Sequence, residues 1–146
     1  MTFEMPLAHL APVTSPACAA DRWCLLLGLA GVQERELWVQ VFDADGVQRA
    51  PVVVVDDLPV DPDRTFVENL LDCVGEVLAR ETSGIGSISV ALARTEAADV
   101  AAGDLAWAAE VAGAARRRGV RLLAMHLVVV HDGTAPGERA TVERLL

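Results

Sequence analysis

The chain has 146 residues, of which 53% are hydrophobic, and this is the usual size and composition of a single folded domain. Its 12 basic and 21 acidic side chains give a net charge of -9, which disfavours nucleic acid as a partner because phosphate backbones are neutralised by clustered cations. No apolar run reaches the length of about 18 residues that a membrane span requires, and all basic residues are arginine, which excludes chemistry that depends on a lysine ammonium.

Residues 1–20 are predicted to be an irregular leader, because they have neither helical nor alternating periodicity and contain three prolines. Glu4 stands where an export signal would have a basic segment, so we do not expect the leader to direct secretion. The cysteines Cys18, Cys24 and Cys73 are odd in number and form no C-x-x-C pair, which argues against a disulfide framework or a zinc knuckle. We therefore expect a reducing, cytoplasmic location.

The first half of the predicted domain, which covers residues 21–132, has the pattern of strands. Residues 22–29 form a short apolar run, and residues 36–42 alternate in the way that is typical of a strand. A turn at residues 43–46 leads to four valines, Val52–Val55, which suit a strand buried on both faces. These three segments predict an antiparallel N-terminal meander.

The second half alternates helices with strands. The loop 56–63 predicts the start of a helix, either with an Asp as the cap and Pro62 in the first turn, or with a capping box of Thr65 and Glu68. Residues 87–92 then predict a strand, residues 104–118 a helix that ends at Gly119, and residues 120–130 a last strand. Because a strand, helix, strand unit implies a right-handed crossover to a parallel neighbour, we expect an α/β fold with a mixed sheet. Residues 133–146 are a C-terminal tail, in which residues 137–146 are expected to form a short helix.

An apolar run, a small-residue loop, a helix beginning at Asp104 and a second apolar run follow one another between residues 86 and 130. This order resembles the C-terminal part of the JAB/MPN metalloprotease-like domain of the RadC family, where the pattern His-x-His, seven residues, Ser-x-x-Asp crosses a strand, a loop and a helix start. The resemblance covers residues 36–130 and implies the JAB/MPN fold. Aligned without gaps, Asp104 takes the place of the Asp and Ala101 that of the Ser, and Ala91 and Ala93 take the places of the two His.

The resemblance implies a zinc site in which a Glu from an early strand positions the metal-bound water. Glu36 lies in about the right place for that residue, and Glu34 is a less suitable choice. A zinc ion needs three protein ligands with lone pairs, and alanine has none. We therefore expect no bound metal, no cofactor and no catalytic residue, and we expect Asp104 to cap its helix.

Other groups of polar residues have simpler interpretations as parts of the fold. His126 and His131 are five residues apart and would lie on opposite faces of a continuous strand, which argues against a ligand pair. The four aspartates of the 56–63 loop lack EF-hand spacing and are expected in caps and turns.

The glycines at positions 84 and 86 precede a strand, so no helix N-terminus would face a phosphate there. The basic cluster is expected at the solvated end of its helix and consists of Arg116, Arg117, Arg118 and Arg121.

Three functions remain open on the sequence. The first is a non-catalytic JAB/MPN-like domain that binds a protein partner, with Trp38 and Trp107 as candidate anchors, or that forms a homodimer through the apolar tail residues Val142, Leu145 and Leu146. The second is a metal-dependent peptidase or isopeptidase-like hydrolase with ligands that the pattern does not reveal. The third is a small-ligand module of Rossmann-like type, which the strand, helix, strand unit suggests. Bound metal would point to the second function, and a deep pocket beyond the strand ends would point to the third.

Overall fold

The computed structural model describes the backbone of residues 2–3 and the whole of residues 11–95, 97–131 and 140–146. The helices within these ranges are α1 Pro16–Ala30, α2 Arg64–Thr82 and α3 Ala102–Arg118. The strands are β1 Thr2–Phe3, β2 Arg35–Phe42, β3 Val52–Val55, β4 Ser87–Arg94, β5 Leu122–Val130 and β6 Ala140–Arg144. The predicted α/β class is confirmed.

The strands form one mixed sheet in the order β1-β3-β2-β4-β5-β6, to which β1 contributes two residues. β2 pairs antiparallel with β3 on one side and antiparallel with β4 on the other. β4 and β5 are parallel and are joined through α3, and β6 returns antiparallel to β5. The mixed sheet and the C-terminal strand, helix, strand unit are therefore confirmed.

The helices cover the sheet from both sides. α2 and α3 lie on the face that carries Leu37, Leu92 and Leu127, and this side forms the larger core. α1 lies on the opposite face, where Trp23 belongs to the same cluster as Trp38. Side chains alternate between the two faces along a strand, so a sheet covered on both sides buries every position of a central strand. All eight residues of β2 are buried for this reason.

The ends of α2 and α3 agree in part with the predicted capping residues. Asp63 precedes α2, and its Oδ1 accepts hydrogen bonds from the backbone N–H groups of Thr65 and Phe66. The cap is thus an aspartate, at a position between the two helix starts that the sequence suggests. α3 ends at Gly119, which has the left-handed conformation expected there. Its N-cap is Ala101, so the predicted start at Asp104 is corrected to Ala102–Arg118.

The predicted strand at residues 22–29 is wrong, because this segment belongs to α1. Ser15 caps the helix by accepting a hydrogen bond from the Cys18 N–H at 3.2 Å, and Pro16 occupies its first turn. A short apolar run does not distinguish a strand from a buried helix. The deciding signal lies further upstream, in residues 16–20, which are helical and not part of an irregular leader; residues 4–10 lie outside the described residues. The first strand of the predicted meander is therefore absent from this position, and β2 pairs with β4 instead.

The predicted tail helix is also wrong where the tail is described. Ala140–Arg144 form the edge strand β6, and residues 132–139 lie outside the described residues. Val142 packs against the cluster under α1, and Leu145 packs against the cluster under α2 and α3. A segment with β-branched Thr141 and Val142 suits a strand next to the long strand β5.

Candidate functional site

A cleft lined by four carboxylates lies at one end of the sheet. It has a volume of about 490 Å³ and is lined by Val32, Gln33, Glu34, Glu36, Asp56, Asp57 and Thr95. These residues come from the connection between α1 and β2, from the start of β2, from the residues directly after β3, and from the residue directly after β4. Because β2 runs antiparallel to both neighbours, its start lies beside their ends, and the sheet brings the acidic side chains together.

Glu36 is the buried member of this group, with 6% of its surface exposed. The indole Nε1 of Trp38 donates a hydrogen bond to Glu36 Oε1 at 3.3 Å. Burial raises the pKa of the Glu36 carboxyl; the hydrogen bond from Trp38 lowers this pKa, and the charges of Asp56 and Asp57 raise it further. The balance is a raised pKa for Glu36, of which burial is the main cause and the charges of Asp56 and Asp57 a smaller one.

Two of the acidic residues have a left-handed backbone. The φ angle is 58° at Glu34 and 54° at Asp57. Residues other than glycine adopt this conformation at a cost of about 1–3 kcal/mol each, and such strain is found disproportionately at binding sites. Both residues lie in the turns that form the wall of the cleft.

Three exposed apolar residues, termed the apolar patch, lie on the loop after the cleft wall and at the start of α3. Val60 is in the loop, Val100 precedes α3 and Leu105 is in the first turn of α3, and their exposed fractions are 58%, 41% and 54%. Val60 approaches α3 at Gly103, where a Cβ atom would lie 2.9 Å from the Val60 carbonyl oxygen. The indole Nε1 of Trp107 donates to the carbonyl oxygens of Pro59 and Val60, each at 3.1 Å. α3 therefore fixes this loop in place.

Trp38 and Trp107 are not surface anchors, contrary to the role predicted for them from the sequence. Their exposed fractions are 3% and 0%. Each indole instead binds an inner group, Glu36 for Trp38 and the 59–60 carbonyls for Trp107. Their contribution to the cleft and the patch is indirect, because they hold in position the residues that form these surfaces.

Asp104 is the centre of a buried ion cluster. Its Oδ1 and Oδ2 accept hydrogen bonds from Nε and Nη2 of Arg94 at 3.2 and 2.9 Å, and Nη1 of Arg35 lies 3.8 Å from Oδ1. Oδ2 also accepts the backbone N–H of Ala101 at 2.8 Å. The exposed fractions are 0% for Asp104, 3% for Arg94 and 8% for Arg35. Asp104 therefore acts as counter-ion to two buried guanidinium groups as well as satisfying the helix N-terminus.

The positions that resemble the JAB/MPN site do not surround one point. Glu36 pairs in register with Ala93, and Ala91 and Ala93 lie on the sheet face covered by α1. Asp104 lies on the other face. It binds Arg35 and Arg94, which are adjacent in sequence to Glu36 and Ala93 and therefore project to the opposite side of the sheet. Two ligand positions are alanine and the carboxylate is across the sheet, so these residues do not fit a zinc ion. Within the described ranges, no group of three or more His, Cys, Asp or Glu is placed to hold a metal.

Buried polar side chains under α1 are a feature that was not predicted from the sequence. The indole Nε1 of Trp23 donates to Ser89 Oγ at 2.8 Å, and the side chain of Gln40 donates to Gln48 Oε1 at 3.2 Å. His126 lies on the same face and is 2% exposed. Its Nδ1 has no hydrogen-bond partner among the described residues. The sequence feature that could have indicated these buried side chains is the presence of polar residues at inward positions of otherwise apolar strands.

The arginines at the end of α3 connect two helices. Nε of Arg117 donates to Glu68 Oε1 at 2.6 Å, and Nε of Arg118 donates to Glu68 Oε2 at 2.9 Å. Arg118 also forms an ion pair with Asp72 at 2.7 Å. The predicted solvated helix end is confirmed, and it forms a link to α2.

The three cysteines are free. No helix in the part of the chain that the structure describes is both long enough and apolar enough to cross a membrane. Comparison with protein-family models, with curated proteins and with solved structures finds no match to this chain.

Proposed function

We propose that this chain is a non-catalytic protein-binding domain of the cytoplasm, with a fold related to the JAB/MPN domain. The acidic cleft is the observation that carries the proposal, and the apolar patch of Val60, Val100 and Leu105 adds exposed apolar surface at the start of α3. The order of strands and helices from β2 to β5 supports the relation in fold. Alanine at positions 91 and 93 and the engagement of Asp104 by Arg94 support the absence of catalysis. Three free cysteines support a reducing compartment.

The partner that fits this surface carries basic side chains next to apolar ones. Hydrogen bonds between a carboxylate and an arginine or lysine are among the stronger polar contacts in proteins. The apolar patch would be covered by apolar side chains of the partner, which excludes water from around the charged contacts. The net charge of -9 attracts such a partner at a distance and speeds its association.

A homodimer has less support than a different partner. Of the three tail residues that motivated association through the tail, Val142 and Leu145 pack against the domain's own core and Leu146 is 38% exposed. Two copies also cannot pair favourably through the cleft, because a two-fold interface brings identical surfaces together and identical carboxylate clusters repel each other.

A small cationic ligand is the second candidate. The cleft lies beyond the carboxyl ends of β3 and β4, and its volume of about 490 Å³ is within the range of roughly 300–1,000 Å³ for ligand pockets. Phosphate-bearing ligands of the Rossmann type are disfavoured, because the wall carries carboxylates in place of a helix N-terminus. Ligand pockets are also mainly apolar, and this difference is the reason for preferring a protein partner.

Affinity capture from the native cell tests the proposal with three forms of the full chain. The cleft variant is Asp56→Asn with Asp57→Asn, and the control variant is Asp45→Asn with Glu76→Gln, which removes the same charge from exposed positions outside the cleft. We expect one partner to bind the unmodified chain and the control and to be lost from the cleft variant. Raising the salt concentration from about 0.1 M to about 1 M shortens the Debye length from about 10 Å to about 3 Å and should release the partner.

Capture of the same proteins by all three forms, or of none by any form, would contradict the proposal. Native mass spectrometry of the purified chain separates the second candidate. A small cationic molecule that stays bound to the unmodified chain and is absent from the cleft variant would favour ligand binding over protein binding.

A further inference from the structure

The C-terminal strand β6 is attached to the rest of the domain by few buried contacts. It is the last strand of the sheet, and β5 is its neighbour. Ala140, Val142 and Leu145 are half-buried, whereas Thr141, Glu143 and Arg144 are exposed. Beyond the strand, the Leu145 N–H donates to the Met125 carbonyl at 2.8 Å. Edge segments with few buried apolar contacts open at a lower free energy than central strands.

His126 is the buried ionisable group of the strand that holds β6. It lies in register with Arg144 of β6 on one side and with Ala91 of β4 on the other. Opposed residues in an antiparallel pair project to the same face, so the imidazole and the Arg144 guanidinium are neighbours. Nδ1 of His126 is buried without a hydrogen-bond partner among the described residues.

The described groups around His126 offer no counter-ion for a protonated imidazole. β4 contributes Ala91, and β6 contributes the cation of Arg144, whose Nε donates to the Leu146 carbonyl oxygen at 2.5 Å, while Glu143 occupies the alternate face of β6. α1 covers this face with apolar side chains. The ionisable residues of α1 lie elsewhere. Asp21 and Cys24 line its outer surface, Arg22 donates to Gln48, and Cys18 packs against Val13 and Phe42. Burial, the larger cause, and the Arg144 charge both lower the pKa of His126.

We propose that β6 is an acid-releasable strand, because a proton on His126 places an unpaired charge beside Arg144 at the contact between β5 and β6. Release of β6 separates the two cations and lets water reach the imidazole. It also uncovers the edge of β5, whose backbone groups then become available for pairing with another strand. This property is independent of the acidic cleft, which lies at another part of the sheet.

Proton linkage gives the direction in which pH changes the attachment of β6 and the pH range over which it does so. The pKa of His126 is lowered in the folded state from its ordinary value of 6.5. The contribution of neutral His126 to holding β6 is therefore complete above about pH 6.5 and is lost as the pH falls through the folded-state pKa. Within this window the equilibrium between attached and released β6 changes by about tenfold for each pH unit.

Hydrogen exchange read by mass spectrometry tests the proposal on the full chain at about pH 7.5 and about pH 5.5, within the range where histidine titrates. After correction for the intrinsic pH dependence of exchange, we expect the peptide that covers residues 140–146 to lose protection by up to about tenfold at the lower pH. Peptides that cover Arg35–Phe42 and Ser87–Arg94 should keep their protection.

Three variants test which side chains cause the pH-dependent loss of protection. His126→Gln should abolish the pH-dependent loss, Arg144→Gln should reduce it, and the matched control His131→Gln should leave it unchanged. Equal protection of residues 140–146 at both pH values in the unmodified chain would overturn the proposal. A pH-dependent loss of protection that persists in His126→Gln would also overturn the proposal. If His126→Gln fails to fold, the proposal is overturned by Arg144→Gln showing the same loss as the unmodified chain.

Discussion

Replacement of Asp104 distinguishes between two roles of this residue, as a helix cap and as the counter-ion in a buried ion cluster. A carboxylate that only satisfies the first turn of a helix contributes about 1 kcal/mol to the free energy of unfolding. The removal of one partner from a buried ion pair costs about 3–5 kcal/mol, because the remaining charge is left without compensation. In this chain Asp104→Ala leaves the guanidinium groups of Arg94 and Arg35 without their shared carboxylate. We therefore expect a loss of about 3–5 kcal/mol.

Asp104→Asn is the more discriminating change. An asparagine oxygen can still accept the Ala101 N–H, so a capping role alone predicts nearly unchanged stability. The amide carries no charge, so the ion cluster predicts a loss close to that of Asp104→Ala. Chemical denaturation at neutral pH measures both, and Asp99→Asn, an exposed change in the same loop, is expected to stay within about 0.5 kcal/mol of the unmodified chain.

A double variant checks where the cost arises. If uncompensated charge is the cause, Arg94→Leu combined with Asp104→Ala should be less damaging than the sum of the two single changes, because it removes both halves of the closest pair. The reasoning is refuted if Asp104→Asn unfolds with a free energy within about 0.5 kcal/mol of the unmodified chain. In that case the arginines do not depend on this carboxylate.

Three further predictions concern other buried groups. Glu36→Gln should raise stability at neutral pH. Because the pKa of Glu36 is raised in the folded state, its stabilising contribution is complete below the ordinary value of 4.5 and is lost as the pH rises through the folded-state pKa. In thermal unfolding, the advantage of the variant over the unmodified chain should therefore disappear at acid pH. Ser89→Ala should cost about 1–3 kcal/mol in chemical denaturation, because it leaves the buried Trp23 indole N–H without its acceptor, whereas the half-buried control Ser87→Ala should have little effect. Elemental analysis of the chain purified without chelator should find well under one equivalent of zinc, and a stoichiometric ion would contradict the proposed absence of a metal centre.

The sequence predicts those elements of the fold whose deciding signals are local. α2 carries a capping aspartate followed by a wide apolar stripe, and α3 ends at a glycine, so both helices are visible in the sequence. α1 is different, because residues 22–29 fit either a strand or a helix, and the choice depends on the cap at Ser15, some seven residues earlier. β6 depends on a distant neighbour, because a five-residue segment becomes a strand only where β5 offers it an edge.

The candidate site depends even more on strand pairing. Asp56 and Asp57 read as ordinary loop residues, and they reach Glu36 only because β3 is antiparallel to β2. The pairing of β2 with β4 likewise sets Arg35 opposite Arg94, which gives Asp104 its two cations. Neither relation is present in residue spacing. The resemblance to the JAB/MPN pattern groups Glu36 with Asp104, and the sheet separates them.

The same separation explains why the cleft keeps its negative charge. A carboxylate at the start of a helix can be neutralised by a metal ion, by the helix end or by arginine. Asp104 has the last two of these partners on the face of α2 and α3, so its charge is used within the fold. Among the described residues, Glu36 receives hydrogen bonds from the neutral indole of Trp38 and from the Gln33 backbone, and the charges of Asp56 and Asp57 oppose its ionisation. A cation supplied from outside the domain would lower the free energy of this cleft, and it would leave the buried cluster at Asp104 unchanged.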